Sequence, residues 1–122
     1  MSHKEAALDF LTLITTGKTR DAYDRYIHPD FLHHNQYHKG DAASLLQGML
    51  ENDENFPEKE FVVKKVLEEG DTVMTYASLK MGKGVPDMSV MHLLRFQDNK
   101  VIEMWDCGMQ LPADSPNENG VF

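Results

Sequence analysis

The sequence predicts an α+β fold, with helices packed on one face of an antiparallel sheet. Two observations carry this. The first half of the 122-residue chain repeats its apolar residues at helical spacing, and the second half alternates with period two between turn signals. The length fits one domain over residues 1–122.

In "HKEAALDFLTLITTGK", Ala6, Ala7, Phe10, Leu11 and Ile14 recur at helical spacing, and Gly17 supplies a stop. A short second helix, about Thr19 to Ile27, would bury Ala22, Tyr23 and Tyr26. "HPDF" breaks it, because Pro29 disfavours helix at the residue before it. A third helix starts near Asp41, a good N-cap, with Ala42, Leu45, Leu46, Met49 and Leu50 on one face. After a loop in "NDENFPEKE", strands are expected at about 60–68, 72–81, 88–97 and 100–109. "EEGD" and "QDNK" read as hairpin turns and "GKGVPD" as a longer connection.

The last strand, "VIEMWDCGMQ", holds a carboxylate, Asp106, within an apolar alternation. Whether Asp106 shares a face with His92 depends on the hairpin loop, because a one-residue slip moves every side chain to the other face. A two-residue loop at Asp98-Asn99 would pair Gln97 with Lys100, place His92 opposite Trp105 and leave Asp106 on the other face. A three-residue loop, Gln97-Asp98-Asn99, pairs Phe96 with Lys100, sets His92 opposite Met104 and makes Asp106 its diagonal neighbour. That loop needs φ > 0 at its last position, which Asn99 tolerates, and it is the expected form. Val90, His92, Leu94, Phe96, Ile102, Met104, Asp106 and Gly108 then form an apolar wall with two ionisable groups. Burial raises a carboxylate's pKa and a cationic neighbour lowers it, so such a pair suits a general base near neutral pH. The same two residues would also fit a structural role, as a buried hydrogen-bonded Asp beside a satisfied core His.

Composition narrows the partners. A net charge of −8 argues against nucleic acid and against an anionic membrane surface. A single cysteine, Cys107, forms no internal disulfide, and no apolar run approaches a spanning helix. With no signal-like apolar segment near the N-terminus, a cytoplasmic location is expected.

"YIHPD" followed by "FLHHN", then "VLEEGDTVMTYASLK", then "HLLRFQDNKVIEMWDCGMQLPADSPNENGVF" resembles the SnoaL-like polyketide cyclase branch of the nuclear-transport-factor-2-like superfamily. The resemblance runs from about Tyr26 to Phe122. It implies a cone-shaped α+β barrel in which a strongly curved, mostly antiparallel sheet and the N-terminal helices enclose a pocket. It also implies a homodimer formed through the convex face. Asp106 matches the family's last-strand aspartate, the general acid/base of aldol ring closure, and His92 matches an accompanying pocket histidine. His34 and Asn35 fall on an "HN" pair that lines the pocket mouth. The chain departs from many relatives in having Met104 where they have a histidine, and Tyr76 and Ser78 where second-strand histidines are common.

His33, His34 and His38 invite a metal reading, but Pro29 and the Asn-Gln pair argue against the helical spacing it needs, and no metal is expected. Cys107 has no identifiable base and is expected to pack on the face opposite Asp106, with Met91, Leu93 and Trp105. The eight methionines suit gap filling or an adaptable pocket.

The expected function is a small cofactor-independent enzyme that moves a proton on a hydrophobic carbonyl-containing molecule, by cyclisation, isomerisation or dehydration. Asp106 and His92 would be catalytic; His34, Asn35, Tyr76 and Met104 would contact substrate. The alternative is a non-catalytic ligand-binding or dimeric interaction module of the same fold.

Overall fold

A computed structural model describes residues 1–122. The order is α1 (His3–Thr15), α2 (Thr19–Tyr26), β1 (Ile27–His33), α3 (Ala42–Asn55), β2 (Glu60–Glu69), β3 (Thr72–Lys80), β4 (Met88–Gln97) and β5 (Lys100–Gln110). The five strands form one sheet in the order β1-β5-β4-β3-β2, antiparallel except for the β1–β5 pair. No helix is long and apolar enough to cross a membrane.

The helices begin and end on local chemistry. Ser2 caps α1 by accepting the Glu5 N–H, and Asp41 caps α3 by accepting that of Ser44. At the other end of α1, Gly17 takes φ +80°, which lets the Lys18 N–H reach back to the Leu13 carbonyl at 2.9 Å. This Schellman closure confirms the predicted stop. The predicted α1 positions Ala6, Ala7, Phe10, Leu11 and Ile14 are all buried, against Val73, Leu94, Phe96, Val101 and Met104 of the sheet. In α3 only Leu45 is fully buried, while Leu46, Met49 and Leu50 are half-buried. Leu45 and Met49 border a cavity between α3 and the sheet.

Two features differ from the sequence expectation. The segment read as a helix break is a strand, β1, running parallel to β5 at the sheet's edge. An edge is where a sheet accommodates proline, and Pro29 is exposed there. The last hairpin has a two-residue loop, with Gln97 paired to Lys100 and both Asp98 (φ 55°) and Asn99 (φ 61°) in the left-handed region. That is the primed turn favoured by twisted hairpins. The pairing then slips: Phe96 faces Val101 while Arg95 faces Glu103, so Ile102 has no partner. This bulge restores what the shorter loop would have lost. His92 faces Asp106 directly, on the same side of the sheet.

Candidate active site

A cavity of about 690 Å³ lies between α1, α3, the segment after β1 and the concave face of the sheet. A row of three polar residues in register crosses this part of the sheet: Thr75 on β3 faces His92 on β4, which faces Asp106 on β5. His92 and Asp106 line the cavity, with Phe61 edge-on to the His92 ring at 6.0 Å between centroids.

Asp106 is half-buried, and its Oδ2 accepts a hydrogen bond from Asn35 Nδ2 at 3.0 Å. The Asn35 amide is locked in that orientation, because its Oδ1 accepts the Tyr37 N–H at 2.9 Å. Swapping oxygen and nitrogen would break both bonds. Asn35 is in turn held from behind, its own N–H donating to His33 Nδ1 at 3.1 Å. His33 Nε2–H then donates to the Lys39 carbonyl at 2.7 Å. His33 is therefore a neutral imidazole that ties down the loop carrying Asn35. Strand β1 makes this contact possible, since its end is bonded through His34 N–H to the Met104 carbonyl, two residues before Asp106.

His92 is buried, and burial pushes its pKa below the ordinary 6.5, with the Asp106 charge pulling weakly the other way. The ring is neutral at pH 7, not the cationic neighbour that the sequence argument invoked. Its Nδ1 has no protein partner, and neither has the buried Oγ1 of Thr75 beside it. Two buried polar atoms without partners, side by side beneath the cavity, are an uncommon arrangement.

Three expected substrate contacts lie elsewhere. His34 points to the outer face, stacks on Trp105 at 4.9 Å and contacts Glu103 Oε2 at 2.7 Å, because alternation sends it opposite to His33. That contact, aided by Arg95, holds the Glu103 carboxyl below its usual range. Tyr76 is also on the outer face, where its hydroxyl donates to the Val121 carbonyl at 2.6 Å and its ring meets Phe122. Met104 is 1% exposed and belongs to the packed core, not the cavity wall. Asn35 does line the cavity, but its amide serves Asp106.

His38, the third histidine of "HHNQYH", seats its ring over Gly48 of α3. The three histidines thus point to three different places. Cys107 is exposed and pairs with Met91. Sequence reasoning missed Phe61 and a buried pair, Lys59 and Asp53, which also line the cavity, and Thr75, which pairs with His92.

An α+β cone with a half-apolar cavity and a row of polar groups on its sheet defines the class of this protein. The chain belongs to the SnoaL-like polyketide cyclase family, whose profile matches residues 4–113. Among solved structures it is similar to AclR of Streptomyces galilaeus, provisionally described as a hydroxylase. The identity is 21%, covering 88% of each chain, and the TM-score is 0.76. It is also similar to IdmH of Streptomyces antibioticus, provisionally described as a polyketide cyclase, at 18% identity over 88% of this chain and 92% of that one, with TM-score 0.72. A cystatin-fold protein of Novosphingobium aromaticivorans gives 17% identity, 88% and 98% coverage and TM-score 0.74. At these identities the structures establish the shared fold. No curated protein matched the chain in sequence.

Proposed function

We propose that this protein is a cofactor-independent enzyme that moves a proton on a small hydrophobic carbonyl compound. Asp106 is the base. The observation that carries this is the asymmetry of its carboxylate: Asn35 holds one oxygen from a locked amide, and the other oxygen makes no bond to the protein. A carboxylate that served only to anchor structure would be expected to use both.

The remaining roles follow from position. The freed oxygen takes a proton from the carbon next to the substrate carbonyl, forming an enolate. His92, neutral and lining the cavity, donates a hydrogen bond to the enolate oxygen. Such preorganised donors in a water-poor site are a large source of rate enhancement. Returning the proton to another carbon gives isomerisation; attack of the enolate on a second carbonyl gives ring closure. Leu45, Met49, Val90 and Phe61 supply apolar walls.

The test is exchange of the acidic protons of β-tetralone in deuterated buffer, followed by NMR. Wild-type protein is expected to accelerate exchange and Asp106→Asn is not. Equal rates with both proteins would remove the proposal and favour a binding module.

We also propose a homodimer through the outer face of the sheet. Met91, Leu93 and Trp105 form an apolar strip there, and Met91 is 40% exposed. A strip of this kind on a free monomer favours association.

A further inference from the structure

A second polar group borders the cavity, three strands from Asp106. Lys59, one residue before β2, pairs its Nζ with Asp53 Oδ1 at 2.5 Å, and Thr19 donates to Asp53 Oδ2 at 2.6 Å. Both members of the pair line the cavity, yet their side chains are only 5% and 13% exposed. In sheet order β2 is separated from β5 by β3 and β4. Lys59 precedes the Glu60–Lys80 pair, at the end of the sheet away from the Thr75–His92–Asp106 row, so it and Asp106 are separated along the strands as well as across them.

Asp53 is fully used, one oxygen by Lys59 and the other by Thr19. Lys59 is not. An ammonium has three N–H donors, and this one gives a single hydrogen bond, to Asp53. A buried ion pair is at best a modest stabiliser, because desolvation offsets much of its attraction. Its place on a cavity wall, with donors left over, suits a task beyond joining α2, α3 and the start of β2.

We propose that Lys59 is a ligand anchor, donating a hydrogen bond to an acceptor oxygen at the end of the ligand remote from Asp106. This rests on the reading of the cavity as the site for a carbonyl compound, and it adds the ligand's second recognition point and its charge. The cavity wall carries three carboxylates, Glu51, Asp53 and Asp106, against the one ammonium of Lys59. A carboxylate or phosphate ligand would meet net repulsion, and the Lys59 charge is already balanced by Asp53. The ligand is therefore neutral, with a ketone, phenol or similar oxygen as its far group. A paired ammonium also has no lone pair with which to attack a carbonyl, so Lys59 positions and does not react.

The experiment measures binding of fluorenone, its oxygen-free counterpart fluorene, and a fluorenone carboxylate by calorimetry. Wild-type protein is expected to prefer fluorenone over fluorene about tenfold, the equivalent of one hydrogen bond to a charged donor. The Asp53→Leu/Lys59→Met double variant replaces the pair by apolar groups and should erase the preference while still binding fluorene. Lys59→Gln, which keeps a donor for Asp53 but is too short to serve the cavity, should do the same. Asp106→Asn should keep the preference. The carboxylate should bind more weakly than fluorenone. A preference that survives both Lys59 variants, or is absent from wild type, overturns the anchor and leaves the Asp106 reading intact. Tighter binding of the carboxylate overturns the neutral ligand. Failure of wild type to bind either neutral compound removes the cavity reading and the anchor together.

Discussion

Replacing Asp106 by asparagine separates chemistry from architecture, because the two side chains are nearly the same shape. In the fold, Asp106 accepts one hydrogen bond, from Asn35 at 3.0 Å. The new amide oxygen can accept the same bond, so the loss is only the difference between a charged and a neutral acceptor, about 1 kcal/mol. Against this, a half-buried carboxylate no longer has to be desolvated, a gain of similar size. Net stability should change by less than about 1 kcal/mol. At roughly 2.1 cal/mol/K per residue, the unfolding entropy of this chain is about 0.26 kcal/mol/K, so Tm should move by no more than about 4 °C. Proton exchange on β-tetralone should fall by about 100-fold or more, the usual worth of a general base. Thermal unfolding and NMR exchange on the same sample give both numbers. A Tm drop beyond about 8 °C would show that the carboxylate anchors the fold, and unchanged exchange would show that it is not the base.

Three further outcomes are expected. A Cβ on Gly48 would lie 2.2 Å from the His38 ring, the movable end of an exposed side chain. Gly48→Ala should thus raise Tm by about 2–4 °C through helix propensity. It should also speed hydrogen exchange at the Tyr37 amide as the loop loosens, whereas a lower Tm would contradict it. Burial holds His92 below its ordinary pKa of 6.5, so the unfolded chain binds the extra proton first as pH falls. The stability that neutral His92 confers is complete above 6.5 and is lost as pH falls through its folded-state pKa. Urea midpoints should drop less between about pH 7.5 and 5 in His92→Phe than in wild type. Finally, Met91→Glu should convert the proposed dimer to monomer in light scattering, and a wild-type monomer at micromolar concentration would refute the interface.

How much of this was legible in the sequence depended on whether one element sufficed to read it. The α1 stripe, the Asp41 cap and the antiparallel meander are local patterns, and each appears where expected. Strand β1 was hidden because Pro29 reads as a breaker, and only its edge position, a tertiary fact, makes it tolerable. Missing β1 concealed the Asn35–Asp106 bond, which joins residues 71 apart. His34 was placed in the mouth by resemblance, whereas strand parity turns it outward beside Trp105. On β3, Val73-Thr75-Ala77 and Met74-Tyr76-Ser78 are comparably apolar, so periodicity alone did not say which set faces inward.

The hairpin shows why a correct face assignment can come from an incorrect loop. With a two-residue turn and an unbroken ladder, Glu103, Trp105 and Cys107 would point inward and Met104 and Asp106 outward. That register would bury Glu103 beneath the helices, away from Arg95, its partner at 2.9 Å on the outer face. Burying an unpaired carboxylate costs far more than one unpaired residue in a ladder. The extra residue is moreover Ile102, which follows Val101, and both are buried at the bulge. Two consecutive apolar residues at that point are what a bulge can absorb and a regular strand with one wet face cannot. The outer-face charge pair and the apolar doublet thus select the slipped register, and the slipped register brings Asp106 onto the cavity floor beside His92. The position of the proposed base is set by residues that never touch a ligand.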